Sequence, residues 1–126
     1  FNAYRAAGPG GERIYSIEDA YAHARGCTYF STYEGFGNAF VEAVAARRPI
    51  FVNNYQPVYW PDIGAKGFDT VQLEDAVLTD EAVEAVRQVI RDPHRTRAMT
   101  EKNHALGKEH FSYQALERIL APLLEA

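Results

Sequence analysis

The chain has a single cysteine, Cys27, so no internal disulfide can staple it, a pattern that suits a reducing, cytoplasmic compartment. No apolar run approaches the ~20 residues that a membrane span needs. Basic residues form no stripe that could neutralise a row of phosphates, and the net charge is −4, which argues against a nucleic-acid or anionic-membrane surface. Arg47-Arg48 and Arg95/Arg97 read as scattered, solvated charges at helix ends. The four histidines, His23, His94, His104 and His110, have no carboxylate or cysteine at ligand spacing, so no metal or cofactor is expected. Ser31 lacks the Gly-x-Ser-x-Gly context of a hydrolase nucleophile. No Asp-x-Asp motif, internal repeat or low-complexity tract occurs. The chain opens on Phe1 rather than methionine, as expected of a piece cut from a longer product.

What is present is a domain-sized chain of 126 residues, 47% hydrophobic and 24% charged, in the range of soluble globular domains. Its most informative stretch is Tyr33-Glu34-Gly35-Phe36-Gly37-Asn38-Ala39-Phe40-Val41-Glu42. Upstream, residues 27–31 are rich in aromatic and β-favouring types and read as a short buried strand. Downstream, Asn38 is expected to cap a helix whose Phe40, Val41, Val44 and Ala45 make one apolar stripe, with Pro49 after its end. Strand, glycine turn and helix N-terminus together form a phosphate-holding device, because free backbone N–H groups and the positive end of the helix dipole face the ligand. Two carboxylates beside a diphosphate repel it unless they face something else. Sugar hydroxyls are the natural candidate, since an ionised carboxylate accepts hydrogen bonds from a vicinal diol at about 1.5–3 kcal/mol each. A ligand with a diphosphate in its middle and a sugar at either end satisfies the whole group, which describes a nucleotide-sugar.

The remaining chain reads as alternating strands and helices. Residues 1–12 read as an irregular linker around Gly8-Pro9-Gly10-Gly11, and 13–126 as the domain proper. Ser16 to Asp19 resembles a capping box and starts a helix that Gly26 stops. A strand is expected at Ile50–Asn53 and another at Phe68–Leu73, with a long loop without helical period at 54–67. Thr79 and Asp92-Pro93 start two further helices. Ser112 caps a last one, with Leu116, Ile119, Leu120 and Leu123 on its apolar face. This order predicts an α/β domain with a parallel sheet, and three strands look like the second half of a doubly wound sheet.

Glu34-Gly35-Phe36-Gly37-Asn38-…-Glu42 resembles the Glu-x7-Glu signature of the retaining, nucleotide-sugar-dependent glycosyltransferases with two Rossmann-like domains, the GT-B architecture (glycosyl transferases group 1). The likeness extends to Ala20–Ser31, to Arg48–Val52, and to Phe111-Ser112-Tyr113, which resembles the start of that family's last helix. The stretch 53–64 departs from the family's Gly-Gly and Pro-Glu-Ile/Val segment; Pro61-Asp62-Ile63 is its nearest match.

The resemblance implies that Glu34 lies against the donor sugar as the catalytic-site carboxylate and that Glu42 binds the ribose hydroxyls. It also implies that Gly35, Phe36, Gly37, Asn38 and Ala39 hold the donor sugar and diphosphate through their backbone. The co-substrate is then a nucleoside diphosphate sugar, with an acceptor domain N-terminal in the same protein and an unidentified acceptor. On that reading 126 residues alone would not transfer sugar. A non-catalytic nucleotide- or sugar-binding module and a nucleotide-sugar epimerase of the same architecture are the competing readings. Tyr55, Tyr59 and Trp60 either stack on a ligand or pack over the core, and Lys66 is a weak candidate for reaching a phosphate. Both glycines of the turn are expected to leave room for ligand, so that Gly37→Val would abolish activity in a folded protein.

Overall fold

The computed structural model describes residues 4–55 and 57–124. Positions 1–3 of the expected linker, Gln56 of the expected loop and residues 125–126 lie outside the described residues.

The chain is an α/β domain built on a three-stranded parallel sheet. Two rungs of antiparallel ladder come first, where β1 (Ala6–Ala7) pairs with β2 (Arg13–Ile14). The segment read as an irregular linker therefore folds back on itself, over the turn in which the Gly8 N–H donates to the Glu12 carbonyl (2.9 Å). Helix α1 (Ile17–His23) begins at the expected capping box, with the Ser16 hydroxyl accepting from the Asp19 N–H and Asp19 accepting from the Ser16 N–H. The Arg5 guanidinium grips the same carboxylate and ties the hairpin to α1.

Strands β3 (Cys27–Tyr29), β4 (Ile50–Asn53) and β5 (Val71–Leu73) form the sheet in sequence order, with Tyr29 opposite Val52 and Val52 opposite Gln72. All four residues of β4 are buried, as expected of a parallel strand covered on both faces. Its alternation splits the core. Ile50 and Val52 join Phe40, Val44, Tyr55, Tyr59, Ile63 and Phe68 under helix α2 (Asn38–Ala45). Phe51 points the other way, to Val71 on β5, Val89 of α3 (Asp80–Arg91) and Met99 of α4 (Pro93–Phe111).

The two outer strands are shorter than the sequence suggests, for reasons the hydrogen bonds make plain. At Asp69 both backbone polar groups are taken by the Asn103 amide, at 2.7 and 2.6 Å, so this residue cannot extend the ladder into β5. Beyond β3, the Ser31 carbonyl accepts from the Asn53 side chain (2.9 Å) instead of from a neighbouring strand. Strand β3 is half-buried rather than buried, with Thr28 exposed, because it is paired on one side only among the described residues.

Two further expectations are corrected. The stretch after β4 is not a loop without helical structure: Tyr59–Ile63 forms a π-helical turn and Gly64–Lys66 a 3₁₀ turn, whose bonding does not follow a 3.6-residue repeat. The last helix, α5 (Tyr113–Leu124), forms where expected, but only Ala115 of it is buried. Its Leu116, Ile119, Leu120 and Leu123 are exposed among the described residues. No helix among those residues is long and apolar enough to cross a membrane.

Candidate functional site

The turn between β3 and α2 stands at the carboxyl end of the parallel sheet, the side on which ligands of such sheets sit. It ends at Gly37, which has φ +97° and ψ +60° and occupies the position before the first helical residue. Asn38 is thus the first residue of α2 rather than its cap, and no side chain caps the helix. A capping asparagine needs extended backbone at that point, and the left-handed Gly37 takes the place instead. The Phe40 N–H donates to the Gly37 carbonyl (2.9 Å), while at the exposed Asn38 and Ala39 the amino end of α2, with its positive dipole end, has no side-chain cap.

Each signature glutamate stands beside a tyrosine from a neighbouring element. Glu42, exposed in the second turn of α2, accepts a hydrogen bond from the Tyr21 hydroxyl of α1 at 2.9 Å. Burial and then the Glu42 carboxylate hold the Tyr21 phenol above its usual range, so it stays protonated as a donor. Half-buried Glu34 stands beside Tyr29 of β3. Burial, followed by that carboxylate, pushes the Tyr29 phenol up to about 12.

Between the two glutamates the turn is braced from below. Fully buried Tyr55 donates to the Phe36 carbonyl (2.9 Å), and its ring meets Tyr29 edge-on with centroids 5.4 Å apart. Tyr55 and Tyr59 thus pack in the core, 0% and 1% exposed, whereas Trp60 is exposed. Asn53, at the carboxyl end of β4, stitches the neighbouring loops: its amide donates to Ser31 and accepts from the Ala76 N–H (2.8 Å).

The other wall comes from the junction of α4 and α5. Phe36 meets Phe111 edge-on with centroids 5.5 Å apart, Phe111 stacks on Phe68, and the Lys66 ammonium lies 5.8 Å above the Phe111 ring. Lys66 also donates to the Asp62 carbonyl, so it is engaged with its own segment. A cleft of about 400 Å³ runs between Phe36, Asn38 and Val41 on one side and Phe111, Ser112 and Leu116 on the other. The Phe-Ser-Tyr segment and the signature turn, which share no local sequence signal, are thereby brought against each other.

Six of the seven candidate residues thus reach the surface, around the buried Gly37. Gly35, Asn38, Ala39 and Glu42 are exposed, Glu34 and Phe36 half-buried, and Gly37 buried. The expectation for the two glycines divides. A β-carbon on Gly35 would meet nothing within 4 Å, whereas one on Gly37 would lie 2.4 Å from the Tyr55 hydroxyl. Gly37 is therefore required by the protein's own packing, and Gly37→Val would break the turn rather than report on a ligand. Tyr21, Tyr29 and Asn53 were not among the residues expected at the site, whereas Tyr55 was expected either to stack on a ligand or to pack over the core, and it packs in the core. The available signal was the tyrosines in the segments on either side of the motif, Tyr15, Tyr21 and Tyr29 before it and Tyr55 and Tyr59 after it.

At the opposite end of the sheet, Arg25, Arg47, Arg48 and Arg97 line one cleft of about 700 Å³, so these arginines are gathered rather than scattered. Arg48 donates to the Ala24 carbonyl and Arg25 to the Ile90 carbonyl, both at 3.2 Å, where α1 and α3 end. Arg48 thus acts at a helix end, as expected of it, whereas Arg95 is not a free solvated charge but pairs with Asp69 at 2.5 Å.

Over most of its length the chain is similar to two curated proteins. It is 38% identical over 106 residues to the mannosylglucosylglycerate synthase of Thermotoga maritima, covering 75% of this chain and 25% of that protein. It is 35% identical over 112 residues to the mannosylglucosylglycerate synthase of Petrotoga mobilis, covering 79% and 26%. No protein-family model matches the chain, and no solved structure matches it significantly. The chain is thus related to a glycosyltransferase, and it spans about a quarter of the length of the curated relatives it matches.

Proposed function

We propose that residues 13–126 carry the donor-binding part of a retaining, nucleotide-sugar-dependent glycosyltransferase of two Rossmann-like domains. The observation that carries this reading is the uncapped amino end of α2 behind the Gly37 turn, flanked by two carboxylates that each have a tyrosine neighbour. An open helix end suits the diphosphate, and carboxylates held apart on either side suit hydroxyl-bearing sugars. In this reading Glu42 accepts from the ribose hydroxyls and Glu34 from the donor sugar. Gly35 to Ala39 present backbone N–H groups to the diphosphate. The leaving group gathers charge on its β-phosphate as the glycosidic bond breaks, and the α2 dipole stabilises that charge without reorganising. Glu34 orients the sugar and faces positive character at its anomeric carbon. The acceptor and the groups that close over the reacting carbon come from a second domain of the same protein. These 126 residues alone are then inactive.

The test is release of nucleoside diphosphate by the full-length protein from UDP-, GDP- and ADP-hexoses, with and without acceptors. The name of the relatives puts a mannosyl donor and a glucosylglycerate acceptor first in the panel. Glu42→Ala is expected to weaken nucleotide binding by about 1.5–3 kcal/mol, and Glu34→Ala to lower turnover more than affinity. Unchanged affinity in Glu42→Ala refutes the ribose role. Nucleotide binding without any acceptor-dependent turnover would favour the binding module, and sugar inversion without an acceptor the epimerase.

A further inference from the structure

We infer that Tyr21 is a positioning residue for the donor site, fixing the Glu42 carboxylate for the nucleotide's ribose; this rests on the donor-binding reading above. Glu42 is an exposed glutamate on a helix surface, and such a side chain samples several rotamers that binding must freeze. Here one of them is selected. The Tyr21 hydroxyl donates to Glu42 Oε2 at 2.9 Å, which leaves Oε1 and the second lone pair of Oε2 for a ligand.

Tyr21 is itself well anchored. It lies on α1, whose start is locked by the Ser16–Asp19 capping box and by Arg5, and its ring packs against the core cluster beneath α2. An open cleft of about 520 Å³ lies between α1 and α2, with Tyr21, Glu42, Ile17 and Arg48 among its walls, so the Tyr21–Glu42 pair borders solvent-accessible space. A phenol suits this task better than a lysine would. It orients the carboxylate without neutralising it, and the full negative charge remains available to the diol.

A purely structural Tyr21 would pin α1 to α2 and nothing more, and the two roles separate on the ribose. The experiment uses the full-length protein and calorimetric titration with ADP, GDP and UDP, followed by the 2′-deoxy form of whichever binds most tightly. The wild type is expected to prefer the ribonucleotide. Tyr21→Phe keeps the ring packing, so it is expected to keep the melting temperature while weakening ribonucleotide binding by about three- to tenfold. Its 2′-deoxy affinity should hardly change, and its KM for donor should rise at nearly constant kcat. Glu42→Ala should lose the ribose preference, and adding Tyr21→Phe to it should change affinity no further. Wild-type ribose preference in Tyr21→Phe, with the preference lost in Glu42→Ala, overturns the positioning role alone. A preference retained in Glu42→Ala overturns the ribose reading and the role of Tyr21 with it. Equal weakening of both nucleotides in Tyr21→Phe, or a lowered melting temperature with unchanged preference, assigns Tyr21 to packing and also overturns the inference.

Discussion

Replacing Gly37 by alanine isolates how the signature turn is held. The substitution meets two separate obstacles. At φ +97° an L-residue sits in left-handed backbone, which costs roughly 1–2 kcal/mol. The new β-carbon would also lie 2.4 Å from the Tyr55 hydroxyl and 3.2 Å from a ring carbon of Tyr29. Tyr55 is fully buried, so it can yield only by pulling its hydroxyl off the Phe36 carbonyl, a loss of about 1 kcal/mol or somewhat more. Gly37→Ala should therefore destabilise the protein by about 2–4 kcal/mol. Tyr55→Phe by itself should cost about 1–2 kcal/mol. In that background the nearest obstacle is gone, and adding Gly37→Ala should cost the backbone term plus the smaller crowding of the two ring carbons at 3.2 Å. Denaturant unfolding of the four proteins, followed by near-ultraviolet circular dichroism, gives the cycle, with an expected coupling of about 1 kcal/mol or more. Strict additivity within about 0.5 kcal/mol would refute the hydroxyl contact. A Gly37→Ala protein as stable as the wild type would refute the left-handed turn. Gly35→Ala is the control: its β-carbon meets open space, so stability should hold. Any loss of donor binding there reports on the ligand alone.

The parts of this fold that were legible in the sequence are those set by local chemistry. Ser16, Thr79 and Asp92-Pro93 each start the helix expected of them, because a side-chain oxygen three or fewer residues from a free N–H closes its own bond. Strand β4 matches residue for residue, since a run of apolar and β-favouring residues bounded by proline and asparagine has one compatible home. The misread positions depend on distant partners. Nothing near Phe68 reveals that Asn103 will take the Asp69 backbone, 34 residues away, and stop a strand. Nothing beside Asn38 reveals that a side chain is excluded at Gly37, because the groups that exclude it, Tyr29 of β3 and Tyr55 beyond β4, come from elsewhere in the chain. The same division holds at the site. The spacing of Glu34 and Glu42 is a local pattern and was visible. Their tyrosine neighbours were not, since Tyr21 and Glu42 are 21 residues apart and meet only once α1 docks against α2. The α5 stripe was visible as a pattern too, but a pattern shows which face is apolar and not what covers it.

Two further expectations follow from the backbone and the charges around this frame. At the end of α2, Arg47 has φ +53° and fills the position usually given to glycine, with the Arg47 and Arg48 N–H groups donating back to the Val44 and Ala43 carbonyls (3.0 and 2.9 Å). Arg47→Gly should therefore raise stability by about 0.4–1 kcal/mol in thermal unfolding. It should also lift the His104 titration followed by NMR, because burial first and then the Arg47 charge hold that imidazole below its usual value. A destabilised Arg47→Gly protein would show that the arginine contributes more than its backbone strain costs. The last expectation concerns acid. Asp19 is held well below the usual carboxylate range, first by its hydrogen bonds from Arg5 and then by the Ser16 N–H. A carboxyl depressed in the folded state adds stability that is fully present above its unfolded pKa of about 3.9, and that stability is lost as pH falls towards the folded value. The wild type should thus lose melting temperature faster than Asp19→Asn as the pH is lowered from about 4. The gap between the two proteins should be widest at neutral pH and close in acid, since asparagine can still accept from the Ser16 N–H but cannot pair with Arg5. A gap that stays constant down to pH 2 would show that neither the Arg5 pair nor the Ser16 N–H depresses the Asp19 carboxyl, and would refute the account.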